Sequence, residues 1–221
     1  MRSISDFNVN ASMDEIKPLY EGADPAHDIS HIIRVYSNAK WIGEKESADM
    51  TVLLLAALLH DAGSKPEDKS AKPMETKAAE DFLKKKCIPK DIRNKIVYAI
   101  KVHRFSKGIT PRTLEAKILQ DADRLDAMGA IGIARVFMTG GALGRALYNL
   151  NDPFCTAREP DDKIWNLDHF YRKLLKLESG MHTDAAKKLA MRRTAVLKRY
   201  LTDLKEELEG TDMETIDGIR T

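Results

Sequence analysis

Residues 53–63 read LLLAALLHDAG, a near-continuous apolar run that closes on adjacent histidine and aspartate side chains. A run this apolar reads as a buried helix, and such helices seldom finish on two metal-binding side chains unless a site is wanted at that depth. A neutral imidazole and a carboxylate are hard-to-borderline ligands that together suit Mn, Fe, Zn, Co or Mg. Elsewhere apolar residues recur at helical spacing, and no segment sustains the alternation of a half-buried strand. The expected fold class is therefore all-α, a helical bundle with additional C-terminal helices and no substantial sheet.

The pattern places a short helix over 13–20, disturbed by Pro18, and a turn at Asp24-Pro25 leading into a long helix over 26–46. Further helices are expected over 48–60, 75–86, 89–103 and 111–128, with Pro89 and Pro111 at helix starts, where a missing N–H costs nothing. Ser64 to Pro73 is polar with two prolines and reads as a surface loop beside His60-Asp61. The glycine-rich stretch 129–144 suggests a helix and a bend, 151–160 a loop, and 161–178 and 183–209 two more helices. With no repeat or linker, 1–221 reads as a single domain, its motif-bearing region at about 24–130 and its C-terminal helices at about 161–209.

Composition removes several function classes. Lys and Arg number 36 against 34 Asp and Glu, so no global basic field points to nucleic acid. The two cysteines, Cys87 and Cys155, have no paired spacing, which argues against a disulfide framework and favours a reducing, cytoplasmic setting. The N-terminus has no apolar signal core, and the longest apolar run is far too short to span a bilayer, so no membrane partner is expected.

Two other segments carry metal-binding side chains. On the long first helix, His27, His31 and Arg34 fall at spacings of three and four and share one side, while Ile32, Val35, Ala39 and Ile42 supply a core stripe. His31 then lies at the edge of the buried face, which suits a ligand whose other nitrogen is oriented by a neighbour. Farther on, Asp121, Asp123 and Asp126 crowd into one helix whose apolar residues are Leu114, Ile118, Ala122 and Leu125. Three carboxylates that close repel one another unless cations neutralise them, and a metal near Asp123 satisfies that need. Taken alone, His60 is equally a helix C-cap and His31 an ordinary buried histidine. Lys84-Lys85-Lys86 reads as a solvated face, and Met128 and Met138 as core filler.

His31, then His60-Asp61, then Asp123 within ADRL resembles the H…HD…D signature of the HD-domain metal-dependent phosphohydrolases. AHDISHIIRV is similar to the first-helix pattern of that superfamily, in which the second histidine is the ligand. The segments EAKILQDADRLDAMGAIGIARVF and LDHFYRKLLKL resemble a compact bacterial and archaeal subgroup, so the likeness runs from about Asp24 to Tyr200. That subgroup includes hydrolases cutting nucleoside triphosphates, deoxy forms among them, to monophosphate and pyrophosphate. The family often has another acidic residue close behind the HD pair; here Glu67 and Asp68 come six and seven positions later.

The resemblance implies that His31, His60, Asp61 and Asp123 hold one divalent metal, with Mn, Fe, Co, Ni, Zn and Mg all compatible. Asp61 or a neighbouring acidic side chain would help position the attacking water, and His27 would protonate a leaving oxygen or hold a phosphate; in the related cyclic nucleotide phosphodiesterases the corresponding position is a proton donor. Asp121 and Asp126 are expected to support the ligands from behind. A polyphosphate needs several cationic contacts, and Arg34, Lys65, His103, Arg104 and Arg193 are the candidates. Arg193 falls where the stripe Leu189, Leu197, Tyr200 and Leu204 calls for an apolar residue.

The implied function is divalent-metal-dependent hydrolysis of a nucleotide or related phosphorylated small molecule, with triphosphate pyrophosphohydrolysis first. A 5′-nucleotidase, a cyclic nucleotide phosphodiesterase and a non-catalytic nucleotide-sensing module are the alternatives. The expected partner is a nucleotide or other phosphorylated small molecule, not nucleic acid, and a homo-oligomer is one of the open alternatives for assembly.

Overall fold

A computed structural model of the chain describes residues 15–21, 28–63, 76–104 and 108–213. The described residues are helical, and their one extended pairing is an isolated bridge between Ala146 and Trp165. The fold is all-α, as the helical periodicity requires. The described residues gather into two compact units, one within Met1–Asp126 with Met181–Lys187, the other within Ala127–Gly180 with Lys188–Thr221.

The first unit opens with a 3-10 turn, Lys17–Tyr20, that carries Pro18 in its first turn. Helix α1 spans Ile29–Glu46, and its N-terminus is capped by Asp28, whose carboxylate accepts the His31 amide at 3.0 Å. Helix α2, Met50–Leu59, starts at Asp49, whose side chain accepts the amides of Thr51 and Val52. Val52, Leu53, Leu55, Ala56, Ala57, Leu58 and Leu59 are all buried, so α2 is enclosed on every face. Each fully buried leucine contributes about 1.5–3 kcal/mol, which makes α2 the anchor of its unit. A Cβ at Gly43 would meet Leu53 Cδ2 at 2.5 Å and Met50 Sδ at 2.8 Å, so glycine lets α1 approach α2 this closely.

Helices α3 (Lys77–Lys85), α4 (Lys90–Val102) and α5 (Leu114–Asp126) follow. Helix α5 packs on α1, α2 and α4, and α4 packs on α2, so α1, α2, α4 and α5 enclose one core. The stripe Ile32, Val35, Ala39 and Ile42 faces that core, and so does His31. On α5 the polar Gln120, Asp121, Arg124 and Asp126 are buried alongside Ala116, Ile118, Leu119, Ala122 and Leu125.

The second unit contains α6 (Gly129–Ala142), α7 (Asp168–Arg172), the 3-10 turns Leu174–Lys176 and Glu178–Gly180, and most of α8 (Asp184–Glu209). Its aromatic cluster sets Phe170 against Tyr200 and Phe137, with ring centroids 5.7 and 6.1 Å away. Two expectations need correction here. The helix expected over 161–178 is confined to Asp168–Arg172, because the preceding backbone pairs outward. Ala146 donates to Ile164 O, Asn166 donates to Ala146 O, and Leu167 donates to Leu147 O. Met138 is exposed instead of core; the buried positions of α6 are its glycines Gly129, Gly132 and Gly140. No described helix is long and apolar enough to cross a membrane.

Candidate metal centre

Helix α2 ends where its sequence turns from leucine to His60-Asp61, and the last carbonyls of a helix need partners. His60 Nδ1 donates to Ala57 O at 2.9 Å, the Tyr20 hydroxyl donates to Leu58 O at 2.6 Å, and the Ala62 amide donates to Leu59 O. The same contact caps the helix and sets the His60 ring. Committing Nδ1–H to a carbonyl turns the lone pair of Nε2 inward. His103 repeats the device at the end of α4, where Nδ1 donates to Ile100 O at 2.6 Å.

His31 is oriented from the other side. Its Nδ1 donates to Asp126 Oδ2 at 2.7 Å, which again turns Nε2 inward. The inward atoms meet. His31 Nε2 lies 3.2 Å from His60 Nε2, 3.5 Å from Asp123 Oδ1 and 3.8 Å from Asp61 Oδ2, and His60 Nε2 lies 3.5 Å from Asp61 Oδ2. His31, His60 and Asp61 are buried, whereas the Asp123 side chain is 30% exposed, so the cluster opens to solvent on the Asp123 side.

These separations fit a metal. Donors about 2.1 Å from one ion stand about 3.0–3.4 Å apart in octahedral or tetrahedral geometry. Without a cation, the two imidazole lone pairs and the Asp61 carboxylate would repel one another in a buried place that solvent reaches only from the Asp123 side. The C-terminal ends of α2 and α4 also favour positive charge there. Burial depresses the pKa of His60 to about 4, although Asp61 pulls the other way, so the imidazole stays neutral and ready to ligate.

Asp61 has a second side. Its Oδ1 lies 3.6 Å from His103 Nε2 and accepts from Arg104 at 3.2 Å. Burial opposes protonation of His103, yet Asp61 and Asp123 beside it raise its pKa above the ordinary imidazole value. Gln120 holds the same helix end, donating to Val102 O at 3.1 Å while its Oε1 accepts from Arg124 and His182.

The remaining expected residues divide. His103 and Arg104 stand beside Asp61, and Asp126 contacts His31. Asp121 turns instead toward the start of α8, where it accepts the amides of His182 and Thr183 and the Thr183 hydroxyl. Burial raises the Asp121 pKa, against the pull of those donors. Arg34 is engaged by Asp126 and Ser30. Arg193 belongs to the second unit, where its stem passes Gly129. His27 and Lys65 lie outside the described residues, as do Glu67 and Asp68. Sequence reasoning missed Tyr20 and Gln120, which act on backbone carbonyls 38 and 18 residues away and leave no local signal. It treated His103 apart from His60, although each closes a helix on a buried histidine.

The buried donor atoms that converge are those of His31, His60 and Asp61, with Asp123 approaching His31, and the HD-domain family model matches residues 28–128, which contain all four residues. The YpgQ protein of Bacillus subtilis is 34% identical over 193 residues, covering 86% of this chain and 88% of that protein. Its crystal structure in complex with ADP superimposes with a TM-score of 0.70 at 33% identity, over 92% of this chain and 98% of that one. A crystal structure of the Lin1889 protein from Listeria innocua matches at 0.73 and 33% identity, over 94% and 98%. A crystal structure of an HD-superfamily hydrolase from Bacillus thuringiensis matches at 0.74 and 31% identity, over 94% and 99%.

Proposed function

This chain belongs to the HD-domain superfamily of metal-dependent phosphohydrolases, and we propose that it hydrolyses nucleotides, nucleoside triphosphates first, to monophosphate and pyrophosphate. The observation that carries the reading is the 3.2 Å approach of two inward Nε2 atoms, His31 and His60, flanked by Asp61 and Asp123. That donor set would hold one divalent ion, Mn first among those that two imidazoles and two carboxylates suit. When bound, such an ion supplies Lewis-acid polarisation of a phosphoryl group and acidifies water.

The chain's own residues do the rest. His60 and His31 are held in one tautomer by Ala57 O and Asp126, so the donor set is formed before substrate arrives. Asp61 turns one oxygen to the histidine cluster and the other to His103 and Arg104, which supports reading it as the carboxylate that would orient the attacking water. Arg104, with its guanidinium partly in solvent, meets a non-bridging phosphoryl oxygen. Lys65, three residues beyond Ala62, and His27, one helical turn before His31 in sequence, are proposed as phosphate contact and proton donor. The nucleotide assignment draws on the ADP complex of YpgQ. Free Cys87 and Cys155 suit a reducing, cytoplasmic setting.

Product analysis tests the reading. The purified chain is incubated with Mn, Mg, Co or Ni ions and a panel of nucleoside tri-, di-, mono- and cyclic phosphates. Pyrophosphate released from triphosphates is the expected result. Inorganic phosphate from monophosphates alone would make the chain a nucleotidase, and nucleotide binding without turnover under any metal would make it a sensor.

A further inference from the structure

Arg34 looks, from its position on α1, like a cation available to phosphate, but three of its five N–H donors, one on each nitrogen, are committed within the protein. Nε donates to Asp126 Oδ1 at 2.6 Å, one terminal nitrogen to Asp126 Oδ2 at 3.1 Å, and the other to Ser30 Oγ at 2.9 Å. The first two form the fork that only arginine can make to a carboxylate. The Asp126 contact lifts the already high pKa of Arg34 further, despite partial burial. Asp126 itself is 1% exposed, and its Oδ2 also takes the Nδ1 proton of His31 at 2.7 Å.

The two helices are matched in spacing. His31 and Arg34 are three apart on α1, and Asp123 and Asp126 are three apart on α5, so each helix offers one inward donor atom and one clamp. His31 approaches both aspartates, and Arg34 closes the second contact from the outside. Ser30, itself donating to the α1 cap Asp28 at 2.6 Å, ties the guanidinium to the start of α1. A buried carboxylate without a counter-charge is costly, and a carboxylate free to rotate would not hold one ring orientation. Arg34 grips both oxygens of Asp126, and that grip keeps the carboxylate aimed at His31.

We propose that Arg34 is a positioning residue for the metal centre, acting through the Asp126 carboxylate to fix the His31 ring with Nε2 facing the ion. The proposal rests on the metal-centre reading given above and reassigns Arg34 from a phosphate contact to a determinant of metal affinity. A phosphate contact would affect KM for substrate and leave binding of the metal alone untouched; a positioning residue does the reverse.

Calorimetric titration of the full chain with Mn ions alone, without nucleotide, separates the two. Asp126→Asn is expected to weaken binding roughly 10–100-fold and Arg34→Gln roughly tenfold, with Arg34→Lys in between wild type and Arg34→Gln. Because Arg34 acts through Asp126, adding Arg34→Gln to Asp126→Asn should weaken binding by no more than about twofold further. Unchanged Mn affinity in Arg34→Gln, or full additivity in the double variant, overturns the proposal.

A second measurement needs no metal. Nitrogen-15 spectra of the histidine rings should show His31 as the Nδ1–H tautomer in the metal-free wild type and a tautomer mixture in Arg34→Lys. That variant keeps the charge and stands in should Arg34→Gln not fold. An unmixed Nδ1–H tautomer in Arg34→Lys overturns the proposal. A wild type that binds no Mn contradicts the metal-centre reading, and with it a role for Arg34 in metal affinity.

Discussion

Asp168 in the second unit is fully buried, and everything around it is complementary. Arg158 grips both of its oxygens, one contact measuring 2.8 Å, and the Asp161 amide donates to it at 2.6 Å. The guanidinium also lies 4.4 Å from the Trp165 ring centre. Burial opposes the charge on Asp168, but Arg158 and the neighbouring amide hold its pKa below the usual carboxylate range. In the first unit, His31, His60 and Asp61 are buried as deeply, yet the atoms that meet are acceptors facing acceptors. Within one chain, then, a satisfied buried charge builds a loop, whereas converging lone pairs define a place for a ligand. Burial alone does not distinguish them; the sign of what faces the group does.

Substitutions should separate the two clusters. The largest effect is expected at the acceptor cluster, where His60→Ala and Asp123→Ala should each lower hydrolysis at least about 1000-fold, equivalent to about 4 kcal/mol in the barrier. Far-UV circular dichroism should show their helical content retained. Turnover within tenfold of wild type in either variant would break the contrast at its functional end. Asp168→Ala should do the opposite, lowering the free energy of unfolding by about 3 kcal/mol as Arg158 loses its partner. Its turnover, assayed below the melting transition, should stay within about twofold of wild type. A stability unchanged in urea titration would mean that Asp168 is not the structural counterpart described here.

Acid should dissect the same pair in the metal-free protein. The folded pKa of His60 is about 4, below its ordinary 6.5, so the unfolded chain takes up the proton first. Stability from this group is complete above pH 6.5 and declines as pH falls toward 4, by about 3 kcal/mol. Asp168, depressed below 3.8, loses its contribution only at still lower pH. Urea midpoints measured against pH should therefore lose the upper leg in His60→Ala and the lower leg in Asp168→Ala. Identical profiles for the two variants would erase the distinction. The smallest effect is expected at Tyr20→Phe, which strands the Leu58 carbonyl and should cost about 1 kcal/mol in the same titration.

Much of the candidate cluster was legible in sequence because local chemistry announces it. His60-Asp61 terminates a run of leucines, His31 sits at the margin of a clear helical stripe, and Asp123 stands in an otherwise unstable crowd of carboxylates. What the sequence does not carry is the pairing between distant elements. That Arg34 faces Asp126, 92 residues on, depends on the register of α1 against α5. That Tyr20 caps α2 depends on a contact across 38 residues. The shortened helix before Arg172 has the same cause, since 167, 170, 174 and 177 keep helical spacing while the backbone from Ile164 to Leu167 is claimed by Ala146 and Leu147. Periodicity reports which face is buried; it does not report a competing hydrogen-bond partner.

The most direct test of the central claim is anomalous diffraction at the manganese edge from crystals grown with Mn ions. One peak per chain is expected, within about 2.0–2.3 Å of His31 Nε2, His60 Nε2, Asp61 Oδ2 and Asp123 Oδ1 together. A peak that lacks the two histidine nitrogens, or no peak in crystals that take up Mn elsewhere, would contradict it.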